Sequence, residues 1–149
     1  MNISRRDLGL LLPAIASTAA VRQAEGQPTP PKPTVLPSKV YHTEQIPYKE
    51  DGAKKGRRLF LGTTHTGFNL EMHETILPVG QESHPPHKHL NEETIVIVEG
   101  TIDVFIEGKT ETATAGSVTF FASNEMHNFR NVGKIPARYY VLELRGDAA

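Results

Sequence analysis

Residues 80–100 read GQESHPPHKHLNEETIVIVEG, and this stretch decides the fold. It contains His87, His89 and Glu93, and a further histidine, His127, follows 34 residues after the glutamate. Three imidazoles and one carboxylate make a complete set of protein ligands for a divalent transition metal. The sequence therefore predicts a metal site formed by these four residues.

The spacing of these residues also predicts local structure. His87, His89 and Glu93 share parity, so an extended chain projects all three to one face of a sheet. A straight strand would separate His89 from Glu93 by about 13 Å, at roughly 3.3 Å per residue, which one metal ion cannot span. We therefore expect a turn at 90–92, after which Glu93 opens the next strand and folds back beside the histidines.

The alternative interpretation is a mobile surface loop whose histidines bind metal adventitiously. Glycines bracket the neighbouring apolar runs and argue against such a loop. Gly80 precedes the histidines, Gly100 ends the run after Glu93, and Gly116 opens the run that leads to His127. Turn residues at these positions place the candidate ligands at the ends of strands.

The order of these residues resembles the first motif of the cupin superfamily. That motif is Gly, five residues, His-x-His, three or four residues, Glu, six residues, Gly. This chain has Gly80, His87, His89, Glu93 and Gly100 in the matching positions, with one residue more than the pattern after the first glycine.

The second cupin motif is Gly, five residues, Pro-x-Gly, two residues, His, three residues, Asn. The chain resembles it at Gly116, His127 and Asn131, with Ala122 and Asn124 where the motif has Pro and Gly. Because Asn tolerates the left-handed backbone conformation that Gly would supply, we expect the turn to persist. The departures leave the ligand positions intact.

The resemblance covers about residues 60–145 and implies an all-β fold, a single-domain double-stranded β-helix with the metal inside. It implies one divalent transition metal (Fe, Mn, Zn, Ni or Cu) held by His87, His89, Glu93 and His127. Similar small cupins include dioxygenases acting on aromatic or enol-like substrates, in which the glutamate ligand doubles as a base. Glu93 is therefore also a candidate catalytic residue. The fold is equally compatible with a non-catalytic protein that holds a small molecule or the metal itself.

From residue 41 onward the chain reads as short strands between turns, without sustained helical periodicity. The run 94–98 is apolar enough for a strand buried on both faces, and 107–109 is a candidate hairpin turn. The predicted strands cover 57–64, 68–77, 94–98, 101–107, 109–113, 117–121 and 137–144.

Strand parity predicts which side chains face the inside of the barrel. The predicted inward set is Ile95, Ile97, Ile102, Val104, Ile106, Val118 and either Phe120 or Phe121. Ordinary core packing explains each of them singly. Together they predict an apolar cavity around the metal.

Glu74 is a second candidate catalytic residue, as a proton-transfer base or as support for a ligand. It shares parity with Leu70, Met72 and Ile76, the more apolar face of its strand, which predicts that it points into the barrel. Alternatively, the other face is inward and Glu74 is solvated. His84 has the opposite parity to the ligand pair, so we expect it at the rim of the site rather than as a fifth ligand.

Composition narrows the classes of partner. The chain of 149 residues has no cysteine, which excludes disulfides, thiolate ligands and a lipid-modified cysteine. A net charge of −1 gives no support to nucleic-acid binding or to binding of anionic membranes. No cluster of Lys or Arg lies on an inferred inward face, which favours a small neutral or aromatic ligand. Both a monomer and a homodimer are compatible with the sequence.

Residues 1–24 resemble a bacterial twin-arginine export signal. Arg5 and Arg6 precede an apolar run, 8–20, that ends in small residues. The alternatives are an uncleaved membrane anchor and a chance arginine pair. However, the run contains Pro13 and is shorter than the ~20 residues that a spanning helix needs. We therefore expect a periplasmic protein that folds and takes up its metal in the cytoplasm, with no stable membrane insertion once the signal is removed.

Residues 25–40 are predicted to link this signal to a barrel of residues 41–149. Five prolines favour an extended, mobile spacer that does not pair as a strand. They are Pro28, Pro30, Pro31, Pro33 and Pro37.

Overall fold

The computed structural model describes residues 34–145, and this part of the chain is almost entirely β. A single 3-10 turn, Thr43–Gln45, precedes the strands. The strands in chain order are β1 Lys49–Asp51, β2 Lys54–Thr63, β3 Asn69–Leu77, β4 Glu92–Glu99, β5 Thr101–Ile106, β6 Lys109–Thr114, β7 Val118–Phe121, β8 His127–Asn131 and β9 Ala137–Arg145.

The strands form two antiparallel sheets. The larger sheet has the order β1-β2-β3-β9-β4-β7, and the smaller has the order β6-β5-β8. Buried apolar side chains from both sheets make one core cluster, in which Ile95 and Tyr139 of the larger sheet join Ile102 and Phe129 of the smaller. The prediction of an all-β domain is confirmed.

All seven predicted strands are present, with ends that differ by a few residues. The predicted hairpin turn is also present, and Glu107 and Gly108 at its tip both have positive φ, 45° and 83°, as a tight two-residue hairpin requires. Sequence patterns missed β1 and β8. The missed strand β8 is polar in sequence yet largely buried, so it lacks the alternation that marks a strand.

Strand β4 differs from its prediction because only one of its faces is deeply buried. Ile95 and Ile97 are each 1% exposed, whereas Val96 between them is 40% exposed. The first two belong to the core cluster shared with the smaller sheet. The strand is therefore apolar on both faces, but only the face with Ile95 and Ile97 is fully buried.

Most of the predicted inward side chains are buried. Val118 is 63% exposed, so the prediction for it is wrong, because it occupies the outer face of the edge strand β7. Phe120, on the same face, is 56% exposed, so Phe121 is the inward member of that pair. Ile106 is partly buried and packs against the core. The confirmed members are Ile95, Ile97, Ile102, Val104 and Phe121.

Part of the predicted linker pairs with the barrel, which corrects the prediction of an unpaired spacer. The N–H of Leu36 donates to the Thr63 carbonyl, and the N–H of Thr63 donates to the Thr34 carbonyl, each at 2.9 Å. Proline has no N–H to donate, but both donors here are the N–H groups of other residues, Leu36 and Thr63, so neighbouring prolines remove neither bond. At Gly62 a Cβ would lie 2.4 Å from the Thr34 carbonyl oxygen, so this close approach requires glycine.

The predicted signal of residues 1–24 and the linker up to residue 33 lie outside the described residues. Within 34–145, no helix is long and apolar enough to cross a membrane.

Candidate metal centre

Two backbone pairings bring the candidate ligands to one end of the barrel. His87 and His127 form an antiparallel bridge, in which each N–H donates to the other residue's carbonyl, at 3.1 and 2.9 Å. The chain bends at 90–91 and β4 begins at Glu92, so the expected turn is present and Glu93 folds back beside the histidines. Asn124 has φ 65°, the left-handed conformation expected of it, and its N–H donates to the His89 carbonyl at 2.8 Å.

The structure brings all four predicted ligands together. His87, His89 and His127 each offer a nitrogen, and these atoms lie within 4.8 Å of one another. Glu93 Oε2 is 3.0 Å from His89 Nε2 and 3.5 Å from His127 Nε2. His127 and Glu93 are 1% and 5% exposed, so much of this donor set is shielded from water.

Backbone carbonyls orient two of the imidazoles. His89 Nδ1 lies 2.9 Å from the Asn91 carbonyl oxygen, and His127 Nδ1 lies 2.9 Å from the Glu125 carbonyl oxygen. Because a carbonyl only accepts, Nδ1 of each ring is the protonated nitrogen that donates. In the neutral ring, Nε2 then presents a lone pair toward Glu93, which is the arrangement that supports a metal-binding histidine.

The electrostatics of the cluster favour the neutral forms of His87 and His127. Burial lowers the pKa of His127 and of His87, and the neighbouring imidazoles lower both further. Burial raises the pKa of Glu93, while the nearby His89 imidazole opposes that shift. His127 Nε2 is buried without a hydrogen-bond partner and faces a carboxylate oxygen. Two lone-pair donors that face each other in a dry site need a cation between them, so these residues fit a divalent transition metal.

A small cavity of about 190 Å³ lies beside the ligands. It is more polar than predicted, and Ile95 and Ile97 do not line it because they pack in the core below. Its lining comprises the ligands His87, His89 and Glu93 together with Lys54, Lys55, Gly56, His73, Thr75, Ser83, His84, Phe129, Tyr139, Val141 and Glu143.

Comparison with known families agrees with this architecture. Residues 73–143 match the family model described as the cupin domain. The fold is that of a cupin. Among curated proteins, none matches the chain in sequence.

Solved structures share this fold with the chain. An RmlC-like cupin from Shewanella frigidimarina aligns over 71% of this chain and 89% of its own, with a TM-score of 0.60 and 20% identity. A predicted oxalate decarboxylase from Thermotoga maritima covers 72% and 99%, with a TM-score of 0.56 and 19% identity. The polyketide cyclase RemF from Streptomyces resistomycificus covers 74% and 86%, with a TM-score of 0.56 and 20% identity. At these identities the similarity shows the fold alone.

Glu74 does not point into the cavity, so of the two orientations that the sequence left open the structure has the outward one. Its neighbours on β3, His73 and Thr75, line the cavity, so Glu74 faces the opposite side of the sheet. It is not solvated there either, since its side chain is 0% exposed. Arg57 Nε and Tyr48 OH donate to Glu74 Oε2, so its carboxylate belongs to a buried ionic cluster.

Sequence analysis missed a second carboxylate in the cavity, Glu143. It is the cross-strand partner of Glu93 on β9, so the two side chains lie on the same face of the sheet. The side-chain amide of Asn91 donates to Glu143 Oε2 at 2.6 Å. The pairing of β4 with β9 joins residues 50 positions apart, and no local pattern indicates it.

His84 lies close beside the ligands, as expected for a residue at the rim. Its ring centroid is 3.9 Å from that of His87, and burial lowers its pKa to about 4. It is not one of the three histidines whose nitrogens converge. His84 therefore lines the cavity as a neutral imidazole.

Proposed function

We propose that this cupin is an exported metal-dependent enzyme, a dioxygenase-like oxidoreductase that acts on a small organic molecule able to chelate the metal. One observation supports this most strongly: Nε2 of His89, Nε2 of His127 and the Glu93 carboxylate converge at the edge of the cavity. A site that only stored metal would not need a cavity beside its ligands.

His87, His89, Glu93 and His127 would hold the metal. When bound, a divalent transition metal supplies a Lewis acid with exchangeable positions for water, O2 or substrate oxygens. The chain itself supplies two carboxylates next to those positions. Glu143, held by the Asn91 amide, is free of metal ligation in this assignment and so can accept a proton from a bound substrate.

A non-catalytic protein that binds a small molecule through its metal is the second candidate. The outward orientation of Glu74 favours it, because one of the two carboxylates considered as a base is withdrawn from the cavity. The enzyme and the non-catalytic protein then differ in whether Glu143 takes part in turnover, and the fold is compatible with both.

Elemental analysis followed by an oxygen-uptake assay tests the proposal. Protein from the exported fraction should contain about one equivalent of a transition metal, and it should consume O2 with at least one enol or catechol substrate. His127→Ala should lose both the metal and the uptake. Full metal content with ligand binding but no uptake across the panel would support the non-catalytic candidate instead.

We also propose export to the periplasm by the twin-arginine route. Support comes from Arg5, Arg6 and the apolar run 8–20, all of which lie outside the described residues. Folding before export would let the cytoplasmic supply select the metal, which favours Fe or Mn. A histidine-rich site exposed to free metals would instead prefer Cu or Zn.

A further inference from the structure

We infer that the cavity accepts a small organic carboxylate and that Lys54 selects it. The Lys54 ammonium binds the carboxylate at the mouth of the cavity, and another oxygen of the ligand reaches the metal position. This inference rests on the proposed function and narrows its substrate class. It favours an anionic ligand over the neutral one expected from sequence.

The position of Lys54 follows from strand register. On β2, Gly56 pairs with Thr75 of β3, and both line the cavity. Lys54 is two residues before Gly56, so its side chain leaves the same face of the strand. Lys55 has the opposite parity, and its ammonium pairs with Glu50 at 3.0 Å.

Neighbouring groups hold the Lys54 ammonium at the mouth without neutralising it. Nζ donates to the Ser83 carbonyl at 3.1 Å, which ties β2 to the segment that carries His84 and His87. Nζ also lies 3.2 Å from Asp51 Oδ2, but the Asp51 side chain is 84% exposed, and such surface pairs are weak. An ammonium has three protons, so these two partners leave one donor for a ligand.

The charge balance of the lining also favours an anion. Glu93 and Glu143 are the two carboxylates of the lining, and a divalent metal at the histidine cluster would offset their formal charges. Since Lys55 is paired with Glu50, the Lys54 ammonium then remains as the positive charge of the cavity, and an anionic ligand offsets it. A cavity of about 190 Å³ is smaller than the roughly 300–1,000 Å³ of sites for drug-sized ligands, so the acid must be small.

Co²⁺-loaded full-length protein, whose visible absorption reports ligand exchange at the metal, provides the test. The probes are pyruvate and its neutral amide, pyruvamide. Lys54→Met should weaken pyruvate binding about tenfold or more, the usual effect of losing a charge-assisted hydrogen bond, and should leave pyruvamide binding unchanged. Lys55→Met is the matched control and should bind both probes like the wild type.

A second variant controls for misfolding of Lys54→Met. Lys54→Gln removes the charge and keeps a shorter side chain with an amide N–H that can donate, so it should show the same selective loss of pyruvate binding. If pyruvate binds both Lys54 variants as tightly as the wild type while the metal content is normal, the inference is overturned and the proposed function stands. If neither probe perturbs the Co²⁺ absorption of the wild type, the proposed function fails, and the inference fails with it.

Discussion

Glu93 and Glu143 stand directly opposite each other on β4 and β9, and both side chains line the same cavity. Glu93 lies against two histidine nitrogens, whereas Glu143 accepts a hydrogen bond from Asn91. The charge of Glu143 contributes to the raised pKa of Glu93, after the larger effect of burial. One carboxylate can thus bind a metal while its neighbour stays available to a substrate.

This pair predicts how Glu143→Gln alters the pH dependence of metal binding. Protons compete with the metal for Glu93, and removing the charge of Glu143 lowers the pKa of Glu93. Metal release on acidification should therefore move to lower pH in Glu143→Gln than in the wild type. Metal content measured across a pH series checks this, and a shift to higher pH would contradict the assignment of Glu93 as a ligand.

Alanine substitution of the ligands should remove most of the bound metal. Loss of a residue that hydrogen-bonds to a metal ligand reduces metal affinity roughly 10–100-fold. We expect a larger reduction when a ligand itself is lost, in His87→Ala, His89→Ala, Glu93→Ala and His127→Ala. Elemental analysis after dialysis measures the loss.

The controls for the ligand variants are three histidines outside the cluster. His42→Ala and His65→Ala should retain the metal, since both residues lie away from the cavity lining. His73→Ala is the more stringent control, because His73 lines the cavity but is not among the converging histidines. Normal metal content in His127→Ala would show that the proposed centre is wrong.

The buried cluster around Glu74 should matter for stability and not for metal binding. Glu74→Ala leaves Arg57 without its buried partner, so we expect a loss of about 3–5 kcal/mol in the free energy of unfolding. Glu71→Ala is the matched control: its partner Arg58 is 59% exposed, and we expect about 1 kcal/mol or less. Urea denaturation measures both, and loss of metal from folded Glu74→Ala protein would place Glu74 back in the site.

Gly56→Val should narrow the cavity without disturbing the fold. A Cβ at Gly56 would meet only the Glu74 carbonyl oxygen, at an ordinary 3.7 Å, so the backbone accommodates a side chain there. We expect full metal content and loss of catechol binding by calorimetry. Ile97→Phe is the contrast, because Ile97 lies in the core; it should cost about 1–3 kcal/mol of stability through overpacking and should not block the cavity. Unchanged catechol affinity in Gly56→Val would argue against this cavity as the binding site.

The export proposal predicts that Arg5→Lys together with Arg6→Lys leaves unprocessed precursor in the cytoplasm. Lysine keeps the charge but lacks the planar guanidinium that the arginine pair presents. Immunoblotting of cell fractions distinguishes the precursor from the processed form. Normal processing of the double variant would indicate the general secretory route, with metal uptake outside the cytoplasm.

Residue types and their spacing were enough to predict the candidate donor set and the turn that brings it together. The spacing of His89 and Glu93 requires a turn if both bind one ion, and the structure has that turn at 90–91. The hairpin at Glu107 and Gly108 is equally local. Such features depend on residues close in the chain, so their stereochemistry can be inferred from residue type and spacing.

Only the tertiary structure decided which face of each strand points inward. On β3 the more apolar face, with Met72 and Glu74, lies outside, and the face with His73 and Thr75 lines the cavity. Parity separates the two faces of a strand but does not say which is inside, and the usual preference for the apolar face fails where the interior holds a polar site. Glu143 reaches the cavity through the pairing of β4 with β9, two strands that are distant in sequence. Lys54 reaches it because the face of β2 that it shares with Gly56 is the inward one.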